Sequence, residues 1–232
     1  GFPDEPMTYR EQIAALARAG YRVVAPVMRG YAPSDESRSG RYGISALGDD
    51  LVALANVFSP EEKVHLVGHD WGAIAAFSAA AVAPERFASL VTMAVPHAGA
   101  LVPHFQRAEQ IQRSWYIGMF QIPLVAEARL AKDDLALVER LFRDWSPGYE
   151  PAAEELDAIK AAIRPRIKAV LAYYRSMRSP AGWFGEDRER MFARVRVPAV
   201  HVHGADDGCI GIECCEGAEA FYDAVMAKLI PH

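Results

Sequence analysis

The 232-residue sequence has few cysteines, no surplus of positive charge and no long apolar run. Its three cysteines, Cys209, Cys214 and Cys215, lack the spacing of a metal-binding motif, and two of them are adjacent, which disfavours a bridge between them. That argues against a disulfide framework and favours a reducing, cytoplasmic setting. Lysine and arginine number 25 against 30 aspartate and glutamate, a net charge of −5, with no basic stripe. Nucleic acid is therefore not an expected partner. The longest apolar run, near residues 73–83, is broken by Ser78 and is too short to span a bilayer, so no membrane partner is expected either. There is no signal-peptide pattern, internal repeat or low-complexity segment. What remains is an ordinary globular composition, 51% hydrophobic and 24% charged, long enough for one large domain or a core with an insertion.

Along the chain, short apolar strands alternate with helical patterns. A helix is expected over residues 8–19, with Ile13, Leu16 and Ala17 on one face and Gly20 as its stop. Residues 21–27 read as a buried strand and residues 29–35 as a loop. A second helix is expected over 44–58, with Leu47, Leu51 and Leu54 in register. Strands follow at 64–67 and 90–95, with a helix at 71–82 between them. This alternation implies an α/β fold with a mostly parallel sheet, helices on both faces, and ligands at the C-terminal strand ends. From residue 97 to residue 185 only helical segments appear, rich in tryptophan and tyrosine. Strand character returns at 197–203. The expected organisation is a core over 1–96, a helical cap over 97–185 and the rest of the core over 186–232.

The densest chemical signal is Gly68-His69-Asp70-Trp71-Gly72, an apolar strand running straight into an alanine-rich helix. This is the layout of a nucleophile elbow with Asp in the position more often held by Ser. The two glycines are expected to let the backbone and helix approach closely around a strained turn. Asp70 would be presented at a helix N-terminus, ionised and able to attack carbon. On these residues alone, a simple N-cap Asp is the competing reading.

Gly1-Phe2-Pro3, Arg29-Gly30-Tyr31, the elbow, Pro84-Glu85-Arg86 and Gly204-Ala205-Asp206-Asp207 together resemble the α/β-hydrolase superfamily. The resemblance runs nearly end to end. It points to the branch holding epoxide hydrolases and haloalkane dehalogenases, with one departure, Val27 where an Asp usually precedes Met-Arg-Gly. It implies backbone N–H donors at Phe2 and Trp71 as an oxyanion hole, and Asp207 rather than Asp206 as the acid orienting a catalytic histidine. By the family's chain order, that histidine is expected just beyond the given end, with His232 a loop residue. Both ends read as cut from a longer protein, which implies an uncovered sheet edge and weak stability for this piece alone. His69 is expected to shape the elbow, and His65, His201 and His203 to be structural.

An Asp nucleophile serves either halide displacement or epoxide opening, and the two differ in the help given to the leaving group. An epoxide oxygen leaves as an alkoxide and is best protonated by a positioned acid. The resemblance places two such acids in the cap. Tyr116 precedes Phe120-Gln121-Ile122-Pro123, and Tyr174 lies within Tyr173-Tyr174-Arg175. The expected activity is opening of a small apolar epoxide to a vicinal diol by water, with no cofactor or metal, in a protein that is allowed to dimerise. Trp115, Met119, Trp183 and Phe184 suggest an apolar pocket. The alternatives are a haloalkane dehalogenase, another hydrolase of this fold, or a non-catalytic binding protein.

Overall fold

The computed structural model describes residues 1–230, by backbone alone at 181, 183 and 226–230. Four strands, β1 (Val64–His69), β2 (Phe87–Met93), β3 (Ala199–Gly204) and β4 (Val225–Ile230), form one sheet in the order β1-β2-β3-β4, every pair parallel. Before the sheet come α1 (Arg10–Arg18) and α2 (Ile44–Phe58). The crossover from β1 to β2 is α3 (Trp71–Val82). Alanines 73, 75, 76, 79 and 80 on α3 are all buried. A helix apolar on every side has to be enclosed, and α3 is, packing on α2, β1, β2 and α12 (Glu186–Met191). Behind the sheet Phe77, Phe87, Leu90, Val195, Ala199 and Tyr222 form one core cluster.

Between β2 and β3 the chain makes a run of short helices. These are α4 (Ala98–His104), α5 (Ala108–Arg113), α6 (Trp115–Phe120), α7 (Val125–Ala131), α8 (Ala136–Trp145), α9 (Ala153–Ile163), α10 (Ile167–Ser176) and α11 (Pro180–Phe184), followed by α12. Among the described residues, 97–185 hold no strand. Phe120, Leu130, Val138, Leu141, Ile159, Val170, Leu171 and Tyr173 from these helices are essentially inaccessible. They share one cluster with Phe2, Leu47 and Trp71. The helical run is thereby fused to the elbow region by apolar burial, worth about 1.5–3 kcal/mol for each large side chain.

Three expectations change. Residues 21–27 form no strand: a ladder needs a neighbour, and β1, the nearest sheet edge, pairs only with β2. Tyr21 and Val24 are exposed, and the Tyr21 ring makes an edge-on contact with the His65 ring. The first helix begins at Arg10, after a 3₁₀ turn over Pro6–Tyr9, and buries none of its residues, so the face bearing Leu16 packs on no core. The second strand covers Phe87–Met93 rather than 90–95, because Ala94 turns to φ +63° and breaks the extended run. By contrast, the predicted spans 44–58 and 71–82 match α2 and α3.

Two sequence motifs acquire mechanical roles. Arg86 of Pro84-Glu85-Arg86 donates to the carbonyls of Ser59 (2.6 Å) and Ala55 (3.3 Å), satisfying the open C-terminal end of α2. The Arg29-Gly30-Tyr31 loop lacks the family's preceding Asp but is firmly held. Arg29 makes a bidentate pair with Asp50 (2.6 and 2.5 Å), and Tyr173 Oη donates to the Arg29 carbonyl at 2.5 Å.

Candidate active site

Asp70 follows the last residue of β1 and caps α3, with φ +54° and ψ −124°. That conformation is strained for any residue with a Cβ, and such strain persists only where its surroundings enforce it. Gly68 provides one reason it can persist. A Cβ there would stand 2.3 Å from the Gly72 carbonyl oxygen and 2.7 Å from Ala73 N. Gly72 itself has open space at its Cβ position, so only one of the two elbow glycines is required by close approach, contrary to the expectation from sequence. The Ala73 and Ile74 N–H groups donate to the Asp70 carbonyl, starting the helix at Asp70.

The Asp70 carboxylate is held by backbone donors. Phe2 N–H donates to its Oδ1 at 2.5 Å. Burial raises the Asp70 pKa above the ordinary aspartate value, while hydrogen bonds from the Trp71 and Phe2 N–H groups pull it back. The two predicted oxyanion donors thus converge on one carboxylate. The Phe2 ring is also a core residue, 2% exposed, with edge contacts to Phe120, Trp145 and Tyr174.

Asp207 sits on the loop after β3, at the same C-terminal end of the sheet. Its Oδ1 accepts from Cys209 N–H (2.8 Å) and Ile210 N–H (2.9 Å). Burial raises its pKa against the opposition of those two donors. Asp206 is exposed. A cavity of about 80 Å³ is walled by both Asp70 and Asp207, with Phe2, Phe142, Trp145 and Cys209. It has about half the volume of an engineered cavity known to take benzene.

The two tyrosines stand behind the wall of this cavity rather than on it. Tyr116 on α6 and Tyr174 on α10 are 3% and 2% exposed, with ring centroids 5.7 Å apart. Tyr174 meets the Trp71 ring at 5.2 Å and the Phe2 ring at 5.7 Å, both edge-on. Its hydroxyl is buried without a hydrogen-bond partner. Tyr116 Oη lies 3.3 Å from Cys209 Sγ. Burial, with the Asp70 charge as a further contribution, pushes both hydroxyls well above the ordinary tyrosine range, so both carry their protons at neutral pH.

The motifs around these tyrosines form a clamp. Gln121 Nε2 donates to the Tyr174 carbonyl (3.0 Å) and the Ile117 carbonyl (3.2 Å). Arg175 Nε donates to the Phe120 carbonyl (3.1 Å), and its guanidinium grips Glu127 on α7 bidentately at 2.7 and 3.1 Å. The Gln and Arg that mark the two tyrosine motifs tie α6, α7 and α10 together.

Other expected positions differ. Phe184 is 89% exposed, Trp115 lies under the Arg140 guanidinium, and Met119 packs into the helical core, so none of the three lines the cavity. Phe142 and Trp145 of α8 supply its apolar wall instead. The Trp183 side chain and His232 lie outside the described residues. His69 lines the cavity beside Asp4, with Nδ1 and Oδ2 3.4 Å apart. Burial works to raise the Asp4 pKa, but the His69 hydrogen bond and nearby positive charge outweigh it, and the carboxyl lies below its usual value. That pair was not read from the sequence; only the fold brings residue 4 under residue 69.

The model of the alpha/beta hydrolase fold family matches residues 1–221. The chain belongs to the α/β-hydrolase family. Its relatives place it in the epoxide-hydrolase branch of that family. It is 32% identical over 187 residues to the AB hydrolase superfamily protein YfhM of Bacillus subtilis (strain 168), covering 77% of this chain and 63% of that one. It is 36% identical over 157 residues to Epoxide hydrolase A of Mycobacterium tuberculosis (strain ATCC 25618 / H37Rv), covering 66% of this chain and 48% of the relative. The crystal structure of Epoxide Hydrolase A from Mycobacterium thermoresistibile superposes with a TM-score of 0.82 at 30% identity, covering 100% of this chain and 82% of that one. The alignments thus span 63% and 48% of the two curated relatives. No described helix is long and apolar enough to cross a membrane.

Proposed function

We propose that this chain carries the nucleophile, the orienting acid and the tyrosine pair of an epoxide hydrolase that opens a small apolar epoxide to a vicinal diol. The carrying observation is the convergence at Asp70: a strained elbow carboxylate, held by the Phe2 and Trp71 N–H groups, beside rings that pack against Tyr174, which in turn meets the Tyr116 ring. Residues 97–185 act as the cap over a core of 1–96 and 186–232. The two relatives whose names specify epoxide hydrolases support this choice within the family.

In the first step an Asp70 carboxylate oxygen attacks an epoxide carbon. The ring C–O bond breaks, and the departing oxygen takes a proton from Tyr116 or Tyr174. The product is an alkyl ester of Asp70 and a tyrosinate. In the second step water attacks the ester carbonyl carbon and loses a proton to a histidine base. The family resemblance implies that base, outside the described residues and oriented by Asp207. The Phe2 and Trp71 N–H groups stabilise the tetrahedral oxyanion, which two preorganised donors do well in a water-poor site. Collapse expels the diol alkoxide, which takes up a proton. A further proton exchange restores the tyrosine.

The test is one turnover of the natural-length protein in heavy-oxygen water. The label should enter the Asp70 carboxylate, read by peptide mass spectrometry, while the first diol carries ordinary oxygen. Label appearing directly in the first diol sinks the ester route. Parallel assays with haloalkanes check the alternative: halide release without diol formation from epoxides would transfer the site to dehalogenation.

A further inference from the structure

Among the described residues, His201 and His203 on β3 and Cys215 on the 3₁₀ turn Ile212–Cys215 each offer one donor atom, all within 4.8 Å of one another. Alternation along the strand puts both histidines on one face of the sheet. Both are buried, while Cys215 is half-buried and gives access from outside. We propose that these three side chains bind a divalent transition metal, zinc by preference, in a site separate from the Asp70 carboxylate and independent of the epoxide reading.

The hydrogen bonds around the rings support this. His203 Nε2 lies 2.9 Å from the Ile210 carbonyl oxygen, which can only accept. Nε2 therefore carries the proton, and Nδ1 is left as an unprotonated lone pair. That Nδ1 is buried and has no hydrogen-bond partner. His201 Nδ1 is 3.0 Å from Thr92 Oγ1, and its other nitrogen, Nε2, faces Cys215 Sγ at 3.6 Å. Metal-bound imidazoles are held in this way, with the far nitrogen fixed by a carbonyl, hydroxyl or carboxylate. Zn–N of about 2.0–2.1 Å and Zn–S of about 2.3 Å in a tetrahedron require donor separations of about 3.3–3.7 Å. The observed Nε2–Sγ distance already meets that, and the wider spacing of the trio closes by small ring and χ1 adjustments. Two imidazoles and a thiolate suit zinc, cobalt(II) or copper rather than magnesium or calcium. On binding, the Cys215 S–H bond breaks, its proton leaves to solvent, and a sulfur–metal bond forms. Three protein ligands leave a fourth position for water. Cysteine spacing showed none of this, because the two histidine ligands come from a strand ten and more residues earlier.

His203 also links this cluster to the other site, since its Nε2 lies 3.7 Å from Asp207 Oδ2. A metal on Nδ1 would therefore fix the ring that borders the orienting acid, pinning β3, the Asp207 loop and the turn together.

The experiment titrates chelator-treated protein with Co²⁺ and then displaces it with Zn²⁺. One equivalent of Co²⁺ should give tetrahedral visible bands and a thiolate-to-cobalt charge-transfer band, both erased by Zn²⁺. Cys215→Ser should remove the charge-transfer band, while Cys214→Ser retains it. Thr92→Val, which keeps the shape and removes the His201 partner, should weaken binding about 10–100-fold. In the unaltered protein, Zn²⁺ should protect Cys215 from maleimide labelling and raise the melting temperature by about 5 °C at a hundredfold excess over Kd. No charge-transfer band together with no zinc protection of Cys215 overturns the proposal. So does a charge-transfer band that survives in folded Cys215→Ser. The protection and melting readouts use unmutated protein, so poor folding of a variant leaves the answer intact.

Discussion

At the level of single residues, Asp70 combines positive φ, burial and charge, and each of these works against stability. Its folded pKa is raised above the 3.8 of an ordinary aspartate, so the folded state binds that proton more tightly than the unfolded chain does. The stability this group contributes is present below the unfolded value and lost as pH rises through the folded one. Asp70→Asn keeps a carbonyl acceptor for Phe2 N–H and removes the charge. It should melt higher than the parent at about pH 7 and lose that advantage at about pH 3. Thermal scans at the two pH values check this, and an equal shift at both would assign the effect to something other than charge. The tyrosines yield a kinetic prediction. With both hydroxyls protonated by burial, Tyr116→Phe and Tyr174→Phe should each slow ester formation, and the pair together by on the order of 10²–10⁴-fold. Stopped-flow quenching of tryptophan fluorescence on epoxide addition follows that step, and an unchanged rate in the double variant removes the tyrosines from the chemistry. Asp70 was singled out by its own elbow motif, and Asp207 and both tyrosines by motifs whose meaning came from the family resemblance. The Asp4–His69 pair and the Tyr116–Cys209 contact were not, because they join residues 65 and 93 positions apart that only tertiary packing brings together.

At the level of elements, the clamp joining α6, α7 and α10 sets where the tyrosines stand. Arg175 is its centre, and a lysine cannot reproduce a planar fork that reaches Glu127 and the Phe120 carbonyl together. Arg175→Lys should cut kcat through Tyr116 and Tyr174 while leaving Asp70 competent. An active-site burst of slowed rate and unchanged amplitude is the expected signature. The Arg175 hydrogen bond holds the Glu127 carboxyl down at about 2, from an ordinary 4.5. A depressed acid contributes stability above its unfolded value and loses it as pH falls, so the clamp should loosen between about pH 4.5 and about pH 2. Near-ultraviolet dichroism of the tyrosines should report that loosening in the parent and not in Glu127→Gln. The elbow gives a sharper contrast. Gly68→Ala drives a Cβ into the Gly72 carbonyl and should abolish folding or activity, whereas Gly72→Ala meets open space and should be tolerated. Elements with their own signals were readable: α2 and α3 matched residue for residue because apolar period and length agree. The run at 21–27 has strand composition, yet its state depends on a neighbour that local sequence does not specify. β4 was missed for the converse reason, since Val225–Ile230 becomes a strand only by pairing with β3.

For the whole molecule, the sheet ends in β4, which pairs only with β3, and in β1, which pairs only with β2. On the β1 edge Val67 is 45% exposed, and Tyr21, whose ring meets His65 of β1, is 52% exposed. A solvent-facing apolar edge strand is a template for pairing with another chain. The parallel α/β architecture was readable from alternation, but which strand ends the sheet is a property of pairing order, which the sequence does not display. The 232-residue chain should therefore self-associate as its concentration rises, through β1 rather than through the helical run. Val67→Lys places a charge on the edge without touching the buried face that carries Gly68, and should shift the association midpoint to higher concentration with little change in melting temperature. Sedimentation or light scattering over a concentration series measures it. If the lysine variant associates as readily as the parent, the contact lies elsewhere. The exposed stretch at Ile122, Leu124 and Val125 on the far side of the helical run, 50%, 80% and 50% exposed, would be the next surface to charge.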